Sequence, residues 1–572
     1  MKEVIFITPN MDGAIGSEAM GTLQLATILK KEGVDCEILQ FFKIGDLKRF
    51  DTFLDNAMKM IEERQPKIVS FYTRCDVYHI DLKLAKMIKE RWPEVYVVCG
   101  GPQSDITAEE TIKQVPYIDF VCRGEGEKNI YTFFTSLLQK NPDLTIPGLA
   151  YRDGNEIKIN PRAELIEDLD VLPMPDYSFF HFPSDEVKWR TRFPIEVGRG
   201  CPFSCTFCST KTFWGRKFRL KSPERIYQEI KDAHEWYGVT KFKFTHDMFT
   251  LNRKKVIETC ELLKTLDFPI DWGGSSRLDC IDRELIDVMA DAGMKGIFLG
   301  IETGSPRMQK IINKNLKLDD AVGLVSYLNE KGIMVKASFM YGFPEETEED
   351  LSQTIALIGK LLSLPNVKIT THLCAFYVGT ELTSTYGKEM TPVDYYSNAT
   401  GDYAVKECED IIREYPDLFS HMLEYKTELR GKLKYFDLFF FVWSCMQPVY
   451  QYLSEKYPEG NLIQMYYDFV DANQEVLGVV EEFPENQWGR RFLKYDRFPS
   501  QFAEDENYDI IADLYRFHKI DNSKEVKEGG SVADVFCINP MDTNGKSIQE
   551  CKRCIATVNW SNNQRTMTIY RL

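Results

Sequence analysis

Twice along this chain, short apolar runs of strand character alternate with helical patterns, and that double alternation restricts the fold more than any other feature. The first series fills roughly residues 1–145. Its β-rich runs are Lys2–Thr8, Val34–Gln40, Ile68–Thr73, Val95–Cys99 and Ile118–Cys122, and helical periodicity lies in Ala19–Glu32, Asp51–Glu63 and Ile80–Arg91. Gly33 is a good stop for the first helix. Short strands between helices predict a parallel, doubly wound sheet, which takes ligands beyond the carboxyl ends of its strands. The second series has candidate strands at Phe193–Val197, Lys241–Thr245, Ile270–Gly274, Gly296–Ile301, Val335–Tyr341 and Lys368–Ala375, with a helical pattern after each of the first five. Ser222 followed by Pro223 predicts a helix start, a hydroxyl cap with proline in the first turn. Six strands with helical connections predict a partial (β/α)6 form of the eight-unit barrel, with its chemistry at the strand carboxyl ends.

Residues 146–190 read as a connector. Within it Leu169–Asp176 carries two prolines and no period, which predicts an extended strap rather than a packed element. After about residue 390 the pattern changes to long aromatic-rich helical stretches, Leu423–Glu455 and Leu462–Val480, and then to a β-rich end with strands at Ala533–Ile538 and Thr566–Leu572. The expected organisation is therefore α/β: a Rossmann-like domain over 1–145, the connector, a partial barrel over 191–390, and a mainly helical C-terminal domain with a small β appendage over 391–572.

The chain has 572 residues and a formal net charge of −17. An acidic surface gives no general attraction to phosphate backbones or anionic membranes, which argues against broad nucleic-acid binding. The opening MKEVIFITPNMDG makes a poor signal peptide, and the apolar stretch near Phe439–Trp443 is far too short to span a bilayer. A cytoplasmic location is expected. Fifteen cysteines in such a chain do not read as a disulfide framework, so tightly spaced ones become metal candidates.

One group has that spacing directly after the first barrel strand: Gly198-Arg-Gly-Cys201-Pro-Phe-Ser-Cys205-Thr-Phe-Cys208. Thiolates are the preferred ligands of iron–sulfur clusters. Gaps of three and then two residues let one loop wrap three irons of a cubane, leaving the fourth iron without a local cysteine. A zinc loop is the rival reading, but it would normally want a fourth ligand at matching spacing.

This loop resembles the CxxxCxΦC signature of the radical S-adenosylmethionine (SAM) superfamily, with Phe207 at the aromatic position. The resemblance runs from residue 193 to about 382. It implies a 4Fe–4S cluster on Cys201, Cys205 and Cys208, whose open iron is chelated by the amino and carboxylate groups of SAM. By the same resemblance Arg277, in Ser275-Ser276-Arg277, and Glu302, in Gly300-Ile-Glu302-Thr-Gly304-Ser305, would hold the ribose or aminoacyl part of SAM; the alternative is rim salt bridges. In Tyr341-Gly342-Phe343-Pro344-Glu345-Glu346, Gly342 would let backbone approach the adenine. Gly379-Thr380 is similar to the family's proline-glycine-threonine, with Val378 in place of the proline.

The first series resembles the cobalamin-binding domain found ahead of many radical SAM barrels, through Pro66–Thr73, Gly100-Gly101-Pro102 and Arg123-Gly-Glu125-Gly-Glu127. The resemblance implies that Gly100, Gly101 and Glu125 border the cobalamin, and that Tyr72, Thr73 and Arg74 lie under the corrin. The DxHxxG stretch that would supply a cobalt-ligating histidine is absent, since Asn10-Met-Asp-Gly13 has none, and many relatives also lack it. The alternative is a Rossmann-like domain with no cofactor.

Other groups stay open. His246 and Asp247, after the second barrel strand, are weak catalytic candidates or a structural turn. The basic run Arg216-Lys-Phe-Arg219-Leu-Lys221 is a solvated rim or an anion site. Cys537, Cys551 and Cys554 form a second candidate metal group, with ordinary thiols as the rival. The resemblance implies a cobalamin-dependent radical SAM methyltransferase acting on an unactivated carbon of a small metabolite or peptide, fed electrons by a reductant such as flavodoxin or ferredoxin. SAM would serve twice, as methyl source for the corrin and as source of a 5'-deoxyadenosyl radical. The rivals are a radical SAM cyclase, rearrangement or carbon–carbon coupling enzyme without methyl transfer, and a non-catalytic cobalamin or iron–sulfur carrier.

Overall fold

The computed structural model describes residues 2–10, 20–42, 50–180, 192–246, 248–364, 366–392, 406–427, 429, 531–536, 554–561 and 564–571. Its contacts form two compact units. One comprises Met1–Lys295, Ile312–Lys314 and Cys374–Tyr425, and the other Gly296–Ile311, Asn315–Leu373 and Lys426–Leu572.

In the first unit the N-terminal strands are β1 (Val4–Asn10), β2 (Cys36–Phe42), β3 (Ile68–Tyr72), β4 (Tyr96–Gly100) and β5 (Phe120–Cys122). They pair in parallel and stand in the order β2-β1-β3-β4-β5. Helices Met20–Lys31, Phe50–Arg64 and Tyr78–Arg91 connect them, as the periodicity predicts. Val4, Ile5, Phe6 and Ile7 are all buried because β1 is flanked by strands on both edges and helices on both faces. In this strand order the chain changes direction between β1 and β3, so the ligand crevice belongs at their carboxyl ends.

Two expectations need correction. The start of the connector is an antiparallel hairpin, β6 (Leu149–Asp153) and β7 (Glu156–Ile159), added to the edge of the same sheet through β5. Its turn, Gly154-Asn155, was legible as a hairpin signal, but the strands are too short to show a period. The supposed strap is packed: Leu169 and Leu172 are buried with Ile166 in a small core of their own. The prolines exclude regular structure without excluding burial. Residues 408–422 also join the N-terminal core, where Phe419 meets Tyr78 with ring centroids 5.9 Å apart.

The first unit also carries β8 (Phe193–Glu196), a two-stranded ribbon of β9 (Gly198–Arg199) and β10 (Arg219–Leu220), β11 (Lys241–Thr245) and β12 (Asp271–Ser276). The strands β8, β11 and β12 pair in parallel. Helices Pro223–Tyr237 and Arg253–Leu263 link them, and Ser222 Oγ caps the first by accepting from Arg225 N at 3.1 Å. The second unit holds most of β13 (Met294–Glu302), with β14 (Met334–Tyr341) and β15 (Val367–Leu373), again parallel. The six predicted barrel strands thus exist, each displaced by no more than a few residues.

The helical expectations for Leu423–Glu455 and Leu462–Val480 lie outside the described residues, apart from a short strand at Leu423–Glu424. The β-rich end is a three-stranded antiparallel sheet of Ser531–Phe536, Cys554–Ser561 and Gln564–Arg571. No helix among the described residues is long and apolar enough to cross a membrane.

Candidate functional site

Cys201, Cys205 and Cys208 lie on the loop that follows β9, at the carboxyl side of β8. None is in a disulfide; Cys205 is buried and the other two are half-buried. The glycine before the first cysteine is required by shape. Gly200 has φ +83°, and a Cβ there would sit 1.9 Å from the Lys217 carbonyl oxygen. The ribbon can close on itself only because no side chain stands at that point.

The loop is gripped from the segment Ile312–Lys314. Thr206 N donates to Ile312 O at 3.0 Å, and Asn313 Nδ2 donates to Ser204 O at 3.0 Å. Arg277, one residue past β12, completes the grip. Its Nη2 donates to Lys314 O at 2.7 Å, its Nε and Nη2 each reach Asp279 at 2.9 Å, and its guanidinium lies 3.8 Å from the Phe203 ring centroid. Its Nη1 is directed at Cys205 Sγ from 3.9 Å. Burial alone would lower the arginine pKa, but Asp279 and the neighbouring thiols raise it, so it stays a fixed cation. Cys280 shares this corner, its Sγ 3.8 Å from Asp279 Oδ1. Its spacing from the signature cysteines gives no motif, so sequence reading missed it.

The described residues gather no three His, Cys, Asp or Glu side chains around a single metal ion, but the donor chemistry of this loop is that of a cubane site: three thiols on one short loop, one of them buried beside a cation that offers N–H to sulfur. Phe207 lies on the same loop, half-buried.

At the crevice of the N-terminal sheet, Tyr72, Thr73, Gly100 and Gly101 come together. Thr73 is fully buried and donates through Oγ1 toward Gly100 O at 3.0 Å, while Ser104 N donates to it at 2.9 Å. Gly101, at φ +98°, packs so closely that a Cβ would lie 2.9 Å from Thr73 O and 3.0 Å from the Tyr72 ring. The strand ends are therefore bare backbone at Gly100-Gly101, and at Gly124 a Cβ would meet nothing within 4 Å. Backbone without side chains at these glycines, beside the Tyr72 ring, is a surface that a large flat ligand can approach closely. Arg74 folds back in an ion pair with Asp76.

Glu125 does not fit the cobalamin role expected of it. Its Oε1 accepts from Arg199 Nη1 at 2.8 Å and Arg219 Nη1 at 2.9 Å, and its Oε2 accepts from Ile166 N at 2.6 Å. Both oxygens are thus spent clasping the N-terminal sheet to the β9–β10 ribbon. Arg199 also reaches Glu127 at 2.7 Å and Glu196 at 3.0 Å. The same network corrects the reading of the basic run as a solvated rim. Arg219 and Lys221 are buried, and Lys221 Nζ lies 2.8 Å from Glu229. Only Arg216 and Lys217 of its cations are exposed.

His246 is buried and turned into the chain. Its Nδ1 accepts from Met248 N at 2.8 Å, and its ring stands edge-on to Phe218 at 5.3 Å. That is the geometry of a structural turn. Asp247, Cys537 and Cys551 lie outside the described residues; Cys554 opens a strand, opposite Phe536 and Arg571.

In the second unit, Glu302 ends β13 with φ +70°, where the register with β14 shifts between Gly300 and Glu302. It is a buried carboxylate in a conformation that L-residues rarely adopt. On β15, burial lowers the pKa of His372 while Glu302 opposes the shift. Gly342, at φ +77°, follows β14 and donates its N–H to Glu346. Gly379 belongs to the first unit; its carbonyl accepts from Thr212 Oγ1 at 2.7 Å, and Thr380 caps the next helix, so the loop forms without a proline at 378.

The chain matches the family model of the Radical SAM superfamily over residues 195–358 and that of the B12 binding domain over residues 17–133. It is 31% identical over 368 residues to a protein of Pyrococcus horikoshii named an uncharacterized methyltransferase, a match covering 63% of this chain and 78% of that one. It is 28% identical over 366 residues to the anaerobic magnesium-protoporphyrin IX monomethyl ester cyclase of Cereibacter sphaeroides, covering 61% of this chain and 58% of that enzyme's length. Among solved structures, the radical SAM methyltransferase TsrM of Kitasatospora setae, with cobalamin and a 4Fe–4S cluster bound, superposes with a TM-score of 0.54 at 18% identity over 68% of this chain and 78% of that one. The two domain matches give this chain's cofactors: a 4Fe–4S cluster and SAM with the radical SAM domain, and cobalamin with the B12 binding domain. The cysteine loop behind β9, the bare strand ends of a B12-type sheet and these matches agree: the chain is an enzyme of the radical SAM superfamily, in the group that carries a B12-binding domain ahead of the radical SAM domain.

Proposed function

We propose that this enzyme is a cobalamin-dependent methyltransferase that acts on an unactivated carbon of a small metabolite or peptide in the cytoplasm, with a flavodoxin- or ferredoxin-type protein as reductant. The carrying observation is that the cysteine loop and the bare-backbone crevice of the B12-type sheet belong to one compact unit, tied by Glu125, Arg199 and Arg219. When bound, the cofactors supply one-electron cleavage of SAM and a transferable methyl group. The chain's own work is positional. Cys201, Cys205 and Cys208 would hold the cluster, with Phe207 beside it. Tyr72, Thr73, Arg74, Gly100 and Gly101 would border the corrin. Glu302 and Gly342 would contact SAM.

Anaerobically reconstituted full-length protein should show both corrin and cluster absorbance. With SAM and a reductant it should release 5'-deoxyadenosine and load methyl onto the corrin, and Cys205→Ala should abolish the release. Retained cleavage in that variant would overturn the cluster assignment. A second reading, a cyclase or other radical reaction without methyl transfer, is favoured by the likeness to the protoporphyrin ester cyclase. Product mass separates the two: a gain of one methylene unit supports methylation, and a loss of hydrogen or an isomerised product of unchanged mass supports the second reading.

A further inference from the structure

We infer that Arg277 is a positioning residue for the cluster, one that raises the cluster's reduction potential through Cys205 instead of binding SAM as the family resemblance suggests. The inference rests on the cluster assignment above.

The side chain is almost fully committed. Its buried guanidinium spends Nε and Nη2 on Asp279 and Lys314 O and stacks at 3.8 Å on Phe203, which lies inside the loop between Cys201 and Cys205. Those contacts fix the plane of the fork and leave Nη1 directed at Cys205 Sγ from 3.9 Å. Asp279 does not cancel the effect. It lies on the Nε–Nη2 edge and its side chain is 40% exposed, whereas that of Arg277 is 7% exposed. Solvent screens the carboxylate more than it screens the edge facing sulfur. The positive end of the pair therefore points at the thiolate.

A cation and an N–H donor at a cluster thiolate favour the more negative, reduced state of the cluster. Lysine would not substitute, because an ammonium cannot stack flat on Phe203 and reach Asp279, Lys314 O and Cys205 together. Committed in this way, the guanidinium has little left to offer a carboxylate of SAM.

The test uses full-length protein reconstituted anaerobically with iron and sulfide, without SAM. Iron per chain is measured, and the midpoint potential is read by dye-mediated titration of the reduced cluster's electron paramagnetic resonance signal. In the fraction of Arg277→Gln that carries a cluster, the midpoint is expected to shift to more negative values. An unchanged midpoint in that fraction overturns the inference. Should Arg277→Gln load poorly, Arg277→Lys carries the same test: a more negative midpoint in its loaded fraction supports the role, and a wild-type midpoint overturns it. Wild-type protein that assembles no 4Fe–4S cluster would instead overturn the cluster assignment itself, so the two failures are distinguishable.

Discussion

Arg219 Nη1 sits within 2.9 Å of both carboxylate oxygens of Glu125, and both side chains are all but sealed from solvent. Arg199 takes the same carboxylate at 2.8 Å, two residues before the first cluster cysteine. A buried carboxylate shared by two cations has little value as a pair compared with an apolar substitute, but removing one member strands the others. Glu125→Gln should therefore cost about 3 kcal/mol of stability. In urea unfolding, the double variant Glu125→Gln, Arg219→Met should lose less than the sum of the two single losses. Additive losses would show that the clasp is not a coupled unit.

Gly200 offers a sharper test of the cluster loop. A Cβ placed 1.9 Å from the Lys217 carbonyl cannot be relieved by rotating a side chain, because the obstacle is backbone. Gly200→Ala should open the β9–β10 ribbon and sharply reduce iron and sulfide per chain, while far-ultraviolet circular dichroism changes little. Full cluster loading in this variant would mean that the loop tolerates a displaced ribbon.

The second unit has an acid-sensitive point. Burial would raise the carboxyl pKa of Asp350, but Arg307, Ser305 and Thr347 bond to it and hold it well below its ordinary value of 3.8. Asp350 and Thr347 form a reciprocal cap at the start of helix Glu348–Leu362. A depressed folded-state pKa gives stability that is complete above the ordinary carboxylate value and is lost as pH falls below it. Asp350→Asn should cost about 1 kcal/mol at neutral pH. It should also flatten the fall in stability below about pH 4, where the wild type must protonate this group on unfolding. Denaturant midpoints at neutral and acid pH check both statements; an equal deficit at the two pH values would contradict the second.

The fold was legible where local pattern and tertiary role coincide. Strand β3 and strands β11 to β14 announce themselves because β-rich runs separate helices that carry their own caps, as Ser222 does. The cysteine loop was legible because its three thiols lie near one another in sequence. What was not legible depends on distant partners. Lys221 reads as a surface lysine until Glu229 is found beside it, and Glu125 as a ligand-facing acid until Arg199 and Arg219 arrive from a ribbon about 75 to 95 residues away. Arg277 was singled out as a SAM ligand or a rim ion pair, whereas its Asp279, Lys314 and Cys205 contacts place it at the cysteine loop.

Glu302 closes β13 in a left-handed conformation, φ +70°, at a buried strand end where the register with β14 shifts and Thr303 N turns back to Ile301 O. A side chain held there costs about 1 kcal/mol relative to glycine, and such strain persists where a site needs the group. Comparing two truncations isolates the backbone part, since both remove the carboxylate and differ only by the Cβ. Glu302→Gly should be about 1 kcal/mol more stable than Glu302→Ala in urea unfolding. Part of that gain is offset by the greater freedom of glycine in the unfolded chain, so equal stabilities would mean that the local backbone relaxes in the alanine variant. Both variants should bind SAM more weakly than wild type in equilibrium dialysis against the reconstituted enzyme, and by a similar factor, because the contact proposed for Glu302 is made by its carboxylate, which both variants lack. Wild-type SAM affinity in both would remove Glu302 from the SAM site and leave its strained backbone without a functional reason.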